Sequence, residues 1–195
     1  MYKHISFLDI YNEISLQLEL GLFLRAALAG SSFKVQFERN INSFVPISRP
    51  SGGFVKKEID IVIFDGKTPQ KSKERYAIEL KFPVNGQYPE QMFAFITDMQ
   101  FMEEVKNHAN FNETYCITLV EDSKFHTGAS RQCDRTGIYQ YFRGDKRKHC
   151  PVQIKGRVDK PTGGGGSFRL VNAGPVIKWR KPIYSNDRRF YILKF

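Results

Sequence analysis

Asp60 stands in the run 55–64, VKKEIDIVIF, whose second half is almost wholly apolar. Nineteen positions after it come Glu79, Leu80 and Lys81. Glu79 and Lys81 are two apart, so on a strand both project from one face. If the two runs pair as a hairpin, Asp60 lies beside Glu79. Two carboxylates held together in a partly buried place repel each other and need a cation or a shared proton. Hard oxygen donors of this kind suit Mg2+ or Mn2+. A lysine next to them can orient a nucleophilic water or neutralise charge on a scissile phosphate. Alternation also allows a plainer arrangement, in which Asp60, Glu79 and Lys81 are outward charges on a half-exposed hairpin. Glu58 shares the Asp60 face by the same alternation and is an accessory donor only if that face is the site.

The elements that must position these residues are legible from their periods. Residues 9–29 read as a helix, with Ile14, Leu18, Leu22 and Ala26 at near-helical spacing and Gly30 as a stop. Its apolar positions wrap much of the circumference, which predicts a well-buried helix. Glu13 and Glu19 sit inside that pattern. A strand follows near residues 34–40. Residues 55–64 and 76–82 alternate as partner strands across a polar connection, and Pro83 ends the second. Residues 89–106 form a second amphipathic helix carrying Gln91 and Asp98, and residues 115–120 another strand. Beyond residue 122 short β segments are expected around 137–142, 152–155, 168–171, 176–179 and 189–193. Residues 163–167 read GGGGS, a flexible-linker composition. The fold class is therefore α/β, with helices flanking a mixed central sheet over residues 1–122 and a basic, β-rich extension over 123–195 packed on the same domain.

The pattern Asp60…Glu79-Leu80-Lys81 resembles the PD-(D/E)XK nuclease superfamily, the restriction-endonuclease-like enzymes. The α-β-β-β-α-β order over about residues 9–120 is similar too. The resemblance implies that Asp60 and Glu79 ligate the metal, joined by the Leu80 carbonyl, and that Lys81 positions the attacking water. It also implies that Glu13 or Glu19 completes the carboxylate set from the first helix, Glu19 being slightly favoured for its closeness to the first strand. Gln91 fits a supporting glutamine of some members by order. Ile59 stands where the family's proline precedes the aspartate; that proline shapes the strand start and is not a ligand. The implied activity is Mg2+-dependent endonuclease cleavage of DNA in a restriction, defence or repair setting. The rival expectation is a catalytically silent nucleic-acid-binding or partner-docking module on the same scaffold.

Charge is placed unevenly. Residues 1–122 hold 13 basic and 16 acidic side chains, whereas residues 123–195 hold 17 basic and 4 acidic. A basic half of this kind is the electrostatic footprint of a polyanion partner, with DNA the leading expectation. Arg143, Lys146, Arg147 and Lys148, interleaved with Tyr139, Tyr141 and Phe142, are the expected phosphate contacts. A solvated basic face with core aromatics is the plain alternative. Three cysteines, Cys116, Cys133 and Cys150, make a poor disulfide framework and suit a reducing, cytoplasmic setting. Cys133, Cys150, His149 and His126 lack the tight spacing of a zinc site. No apolar run approaches membrane-spanning length, and no phosphate-loop or nucleophile-elbow motif occurs. A homodimer and a protein partner both stay open.

Overall fold

The computed structural model describes residues 10–45, 54–56, 58–66, 68–84, 86–128, 137–143, 153–154, 157–162, 167–169, 177, 179–180, 183–185 and 188–194. Helix α1 (Glu13–Ala27) begins where Asn12 can cap it. Asn12 Oδ1 accepts the Ser15 N–H at 2.8 Å, and Ser15 Oγ accepts the Asn12 N–H at 3.0 Å. Two donors at the helix start are thereby satisfied. Gly30 then turns the chain at φ 83°, a conformation open to glycine. A Cβ on Gly21 would stand 2.2 Å from the Phe37 ring, so a missing side chain is what lets α1 lie on the first strand.

The helix is not buried all round, contrary to its sequence pattern. Ile14, Leu18 and Leu22 are 73%, 52% and 50% exposed. A helix on one sheet face hides a single stripe, here containing Leu16 and Gly21, and the apolar residues elsewhere on its circumference face outward.

Strands β1 (Phe33–Asn40), β2 (Glu58–Asp65) and β3 (Arg75–Lys81) form an antiparallel series in which Phe37 faces Ile61 and Ile61 faces Ile78. Their β-branched and aromatic residues suit a pleated, buried surface. Ile59, Ile61, Val62, Ala77 and Leu80 are fully hidden, each larger side chain contributing about 1.5–3 kcal/mol of burial. Helix α2 (Tyr88–His108) connects β3 to β4 (Glu113–Val120). The Asn112 N–H donates to the Arg75 carbonyl at 2.9 Å, so β3 and β4 start side by side and run parallel. The strand order is β1-β2-β3-β4, continued by β8 (Arg188–Lys194) and β7 (Ile183–Ser185), a mixed sheet. Alternation puts Phe37 and Ile61 on the α1 face. Arg75, whose guanidinium reaches the Ala109 carbonyl at the end of α2, lies on the other face. The protein is α/β, its sheet flanked by helices.

Two compact units interleave along the chain: Met1–Leu80 with Phe101–Cys116, and Lys81–Gln100 with Ile117–Phe195. The expected boundary at residue 122 falls inside the second. In the first unit Phe44 meets Phe64 and Phe111 edge-on. In the second, Phe95 packs on Phe125 and Phe142.

The expected strand at 137–142 is instead a turn and a short helix, α3 (Tyr139–Phe142). Ile138 and Phe142 are the buried pair, and their i, i+4 spacing is helical. Residues 153–154 belong to no strand; β5 (Arg157–Asp159) follows them and pairs with β6 (Ser167–Arg169), around residues 163–166, which lie outside the described residues. Strand β7 (Ile183–Ser185) had no clear sequence signal, while β8 (Arg188–Lys194) falls where expected and pairs with β4. No described helix is long and apolar enough to cross a membrane.

Candidate active site

In the first unit β1 departs from ordinary strand backbone geometry opposite Asp60. Glu38, the β1 residue between the pairs Phe37–Ile61 and Arg39–Ile59, takes φ 48° while the register on either side of it stays the same. A left-handed conformation in a residue with a Cβ costs about 1–3 kcal/mol, a strain that clusters at functional sites. The Asp60 carbonyl then accepts from Gln17 of α1 at 2.9 Å, and the same Gln17 amide donates to the Glu38 carboxylate at 2.6 Å.

The Asp60 carboxylate points to β3. Its Oδ2 accepts the Leu80 N–H at 2.6 Å. Alternation from the Val62–Ala77 pair places Asp60 and Glu79 on one face. Glu79 is 1% exposed, and the Lys56 ammonium is bonded to its Oε1. A buried carboxylate needs such a cation. Lys56 is itself positioned. The Glu104 carboxylate accepts the Val55 N–H at 2.9 Å, Phe54 packs edge-on against Phe101, and the ammonium lies 5.8 Å from the Phe101 ring centre. Leu80, the expected carbonyl ligand, buries its side chain fully.

Of the two helix carboxylates, Glu13 lies one turn before Gln17 on the same side of α1. Glu19, two positions beyond Gln17, falls roughly 160° away around the helix. Both are half-buried, and α1 covers the face of Phe37 and Ile61, whereas alternation sets Asp60 and Glu79 on the opposite face of the sheet, so the expected fourth carboxylate is not placed with that pair. Glu58 is exposed at the start of β2.

In the second unit Lys81 ends β3, two residues beyond Glu79. Its ammonium is 3.6 Å from Oδ2 of Asp98, a buried residue of α2. Gln91 lies in the first turn of α2, its N–H bonded to the Gln87 carbonyl. Tyr88 donates its hydroxyl to Asp122. That bond holds the phenol above its usual range. Burial pushes Asp122 up, but the Tyr88 hydroxyl and the Lys124 N–H outweigh it and leave the carboxyl low. Arg143 Nε donates to the Lys124 carbonyl at 2.6 Å, and its guanidinium stacks 3.9 Å from the Tyr139 ring centre. Lys146, Arg147 and Lys148, the other expected phosphate contacts, lie outside the described residues, as do His149, Cys133 and Cys150.

Asp60 and Glu79 offer hard oxygen donors from adjacent strands. Among the described residues no group of three or more His, Cys, Asp or Glu converges as a metal cage. Mg2+ does not need one: it is commonly held by one or two carboxylates and completes its octahedron with water and substrate phosphate. The donor set therefore fits Mg2+ and is too small and too hard for a structural zinc site. Sequence reasoning missed Lys56, Gln17 and Glu38. Lys56 precedes the strand as an unremarkable basic residue, and neither Gln17 nor Glu38 carries a motif.

No family model matches the chain, and neither a curated protein nor a solved structure does.

Proposed function

We propose that the chain is a Mg2+-dependent phosphodiesterase acting on DNA, on a restriction-endonuclease-like fold and in a cytoplasmic restriction, defence or repair setting. The observation that carries this reading is the anchoring of Asp60 on the Leu80 N–H next to the buried Glu79. It ties the aspartate of one strand to the backbone of the next, beside Glu79, which supports the resemblance. Asp60 and Glu79 would hold the ion, which supplies Lewis-acid polarisation of the scissile phosphate and charge neutralisation. Lys81 orients the attacking water, and Asp98 limits where its ammonium can go. Lys56 neutralises Glu79 when no metal is present. The excess of basic residues beyond 122 supplies the electrostatic attraction for a polyanion.

The second reading is a silent nucleic-acid-binding module. The Lys56 ammonium favours it, since that cation already balances Glu79. Supercoiled-plasmid cleavage in Mg2+ against EDTA separates the two. The enzyme nicks or linearises plasmid in Mg2+ alone; the binding module shifts the plasmid and leaves it intact.

A further inference from the structure

Within the second unit a cleft of about 670 Å³ opens between the α3 turn and the β5 segment. That volume is in the range of small-ligand sites. Tyr139, Gln140 and Tyr141 line one wall; Arg157, Asp159 and Lys160 line the other. The tyrosine wall is held in place before any ligand arrives. Gln140 donates its side-chain amide to the Gly137 carbonyl at 2.9 Å, the Trp179 indole N–H donates to the Phe142 carbonyl at 2.9 Å, and Phe142 is buried on Phe95. Arg143 covers the Tyr139 ring at 3.9 Å, which orients that ring and adds positive charge behind it. On the facing wall Asp159 accepts from Arg157 Nε at 2.6 Å, fixing the guanidinium plane in an exposed position, and Lys160 is also exposed. Two basic groups against one acidic group, opposite phenol rings, suit a ligand that is planar at one end and anionic at the other.

We propose that this cleft binds an unpaired nucleotide of a nucleic-acid strand, its base against Tyr141 and its phosphate toward Lys160 and Arg157. Aromatic rings grip bases through faces that a duplex keeps stacked, so the site prefers single strands. The inference deepens the reading of the chain as a DNA-acting protein and rests on that reading only for the nucleic-acid partner, not for cleavage.

The test is fluorescence anisotropy of a labelled oligothymidylate of about a dozen nucleotides, beside a duplex of equal length, in EDTA so that neither is cut. Wild type, Tyr141→Ala, Tyr141→Phe and Lys160→Ala are compared over a salt series. Tyr141→Ala weakens single-strand binding about tenfold and duplex binding far less, while Tyr141→Phe keeps the affinity, because the ring and not the hydroxyl does the stacking. Lys160→Ala, an exposed position that does not threaten folding, flattens the single-strand salt slope by about 0.7. Wild-type binding to the strand with both alanine variants unchanged overturns the cleft assignment and leaves the nuclease reading standing. Absence of binding to either nucleic acid overturns both. Binding of thymidine monophosphate that Tyr141→Ala abolishes, with strand binding untouched, makes this a free-nucleotide site and overturns the strand assignment.

Discussion

Asp60 accepts the backbone N–H of Leu80 at 2.6 Å, a bond from a side chain on β2 to the peptide that follows Glu79 on β3. The carboxylate bonds a backbone donor of the neighbouring strand, which fixes its position, and does so where Glu38 of β1 takes φ 48°. Local strain, a side chain that accepts from a strand N–H and a buried neighbouring glutamate meet at one point of the sheet.

Lys56→Ala removes a cation from the buried Glu79 carboxylate. Lys56 is 30% exposed, so water softens the loss to about 1–2 kcal/mol, below the cost of breaking a fully buried pair. Thermal unfolding in EDTA falls accordingly. Mg2+ raises the melting temperature of the variant more than that of wild type, because the ion no longer competes with the ammonium. Equal Mg2+ shifts in the two proteins would show that the ion does not bind at Glu79.

Lys81→Ala removes the group that orients water while leaving both carboxylates. Cleavage falls by about a hundredfold or more, in the range of losing a positioned acid–base group. Calorimetric Ca2+ affinity stays within about twofold of wild type. Loss of metal affinity in this variant would make Lys81 a structural support of the site.

Arg75 is a buried cation with a structural task. Its guanidinium donates to the carbonyls of Phe44 at 3.1 Å, Ala109 at 3.2 Å, Ser72 at 3.3 Å and Gln70 at 3.4 Å. Desolvation pulls its pKa down from the usual arginine value. Arg75→Met leaves those carbonyls without this donor and lowers stability by about 2–3 kcal/mol in urea unfolding, with the slope unchanged.

Asp65 gives the pH signature. Its Oδ1 accepts the Glu74 N–H at 2.8 Å, the Lys73 N–H at 2.7 Å and the Ser72 hydroxyl at 3.1 Å. The Glu74 bond leads the effect, and together they hold the carboxyl below its ordinary value. A depressed folded pKa contributes stability that is present above the unfolded value and lost as pH falls through the folded one. Wild type is therefore more stable than Asp65→Asn near about pH 7, and the gap closes as the solution is taken below the ordinary carboxylate range. A gap that persists unchanged in acid would show that the turn does not depend on the charge.

The hairpin of β2 and β3 was legible because alternation over a buried surface leaves few other readings, and Asp60 stood out as a charge inside an apolar run. The two main helices were legible from their period. The exposure of Ile14, Leu18 and Leu22 was not, since composition tells how apolar a helix is and not which stripe the sheet covers. Ile138 and Phe142 misled because a short aromatic run fits a strand and a helical turn equally well. Lys56 and Gln17 were invisible for a different reason. They reach Glu79 and the Asp60 carbonyl, 23 and 43 residues away in sequence, and no local pattern encodes a long-range contact.

The most direct test of the metal-site claim is the plasmid-cleavage rate of Glu79→Gln beside wild type in Mg2+, with both proteins shown to be folded. The substitution keeps the size of the side chain and removes the charge that would hold the ion. Wild type cleaves and Glu79→Gln is slower by at least about a hundredfold. Cleavage by Glu79→Gln at the wild-type rate, or by neither protein, would contradict the assignment of Asp60 and Glu79 as the centre of a nuclease.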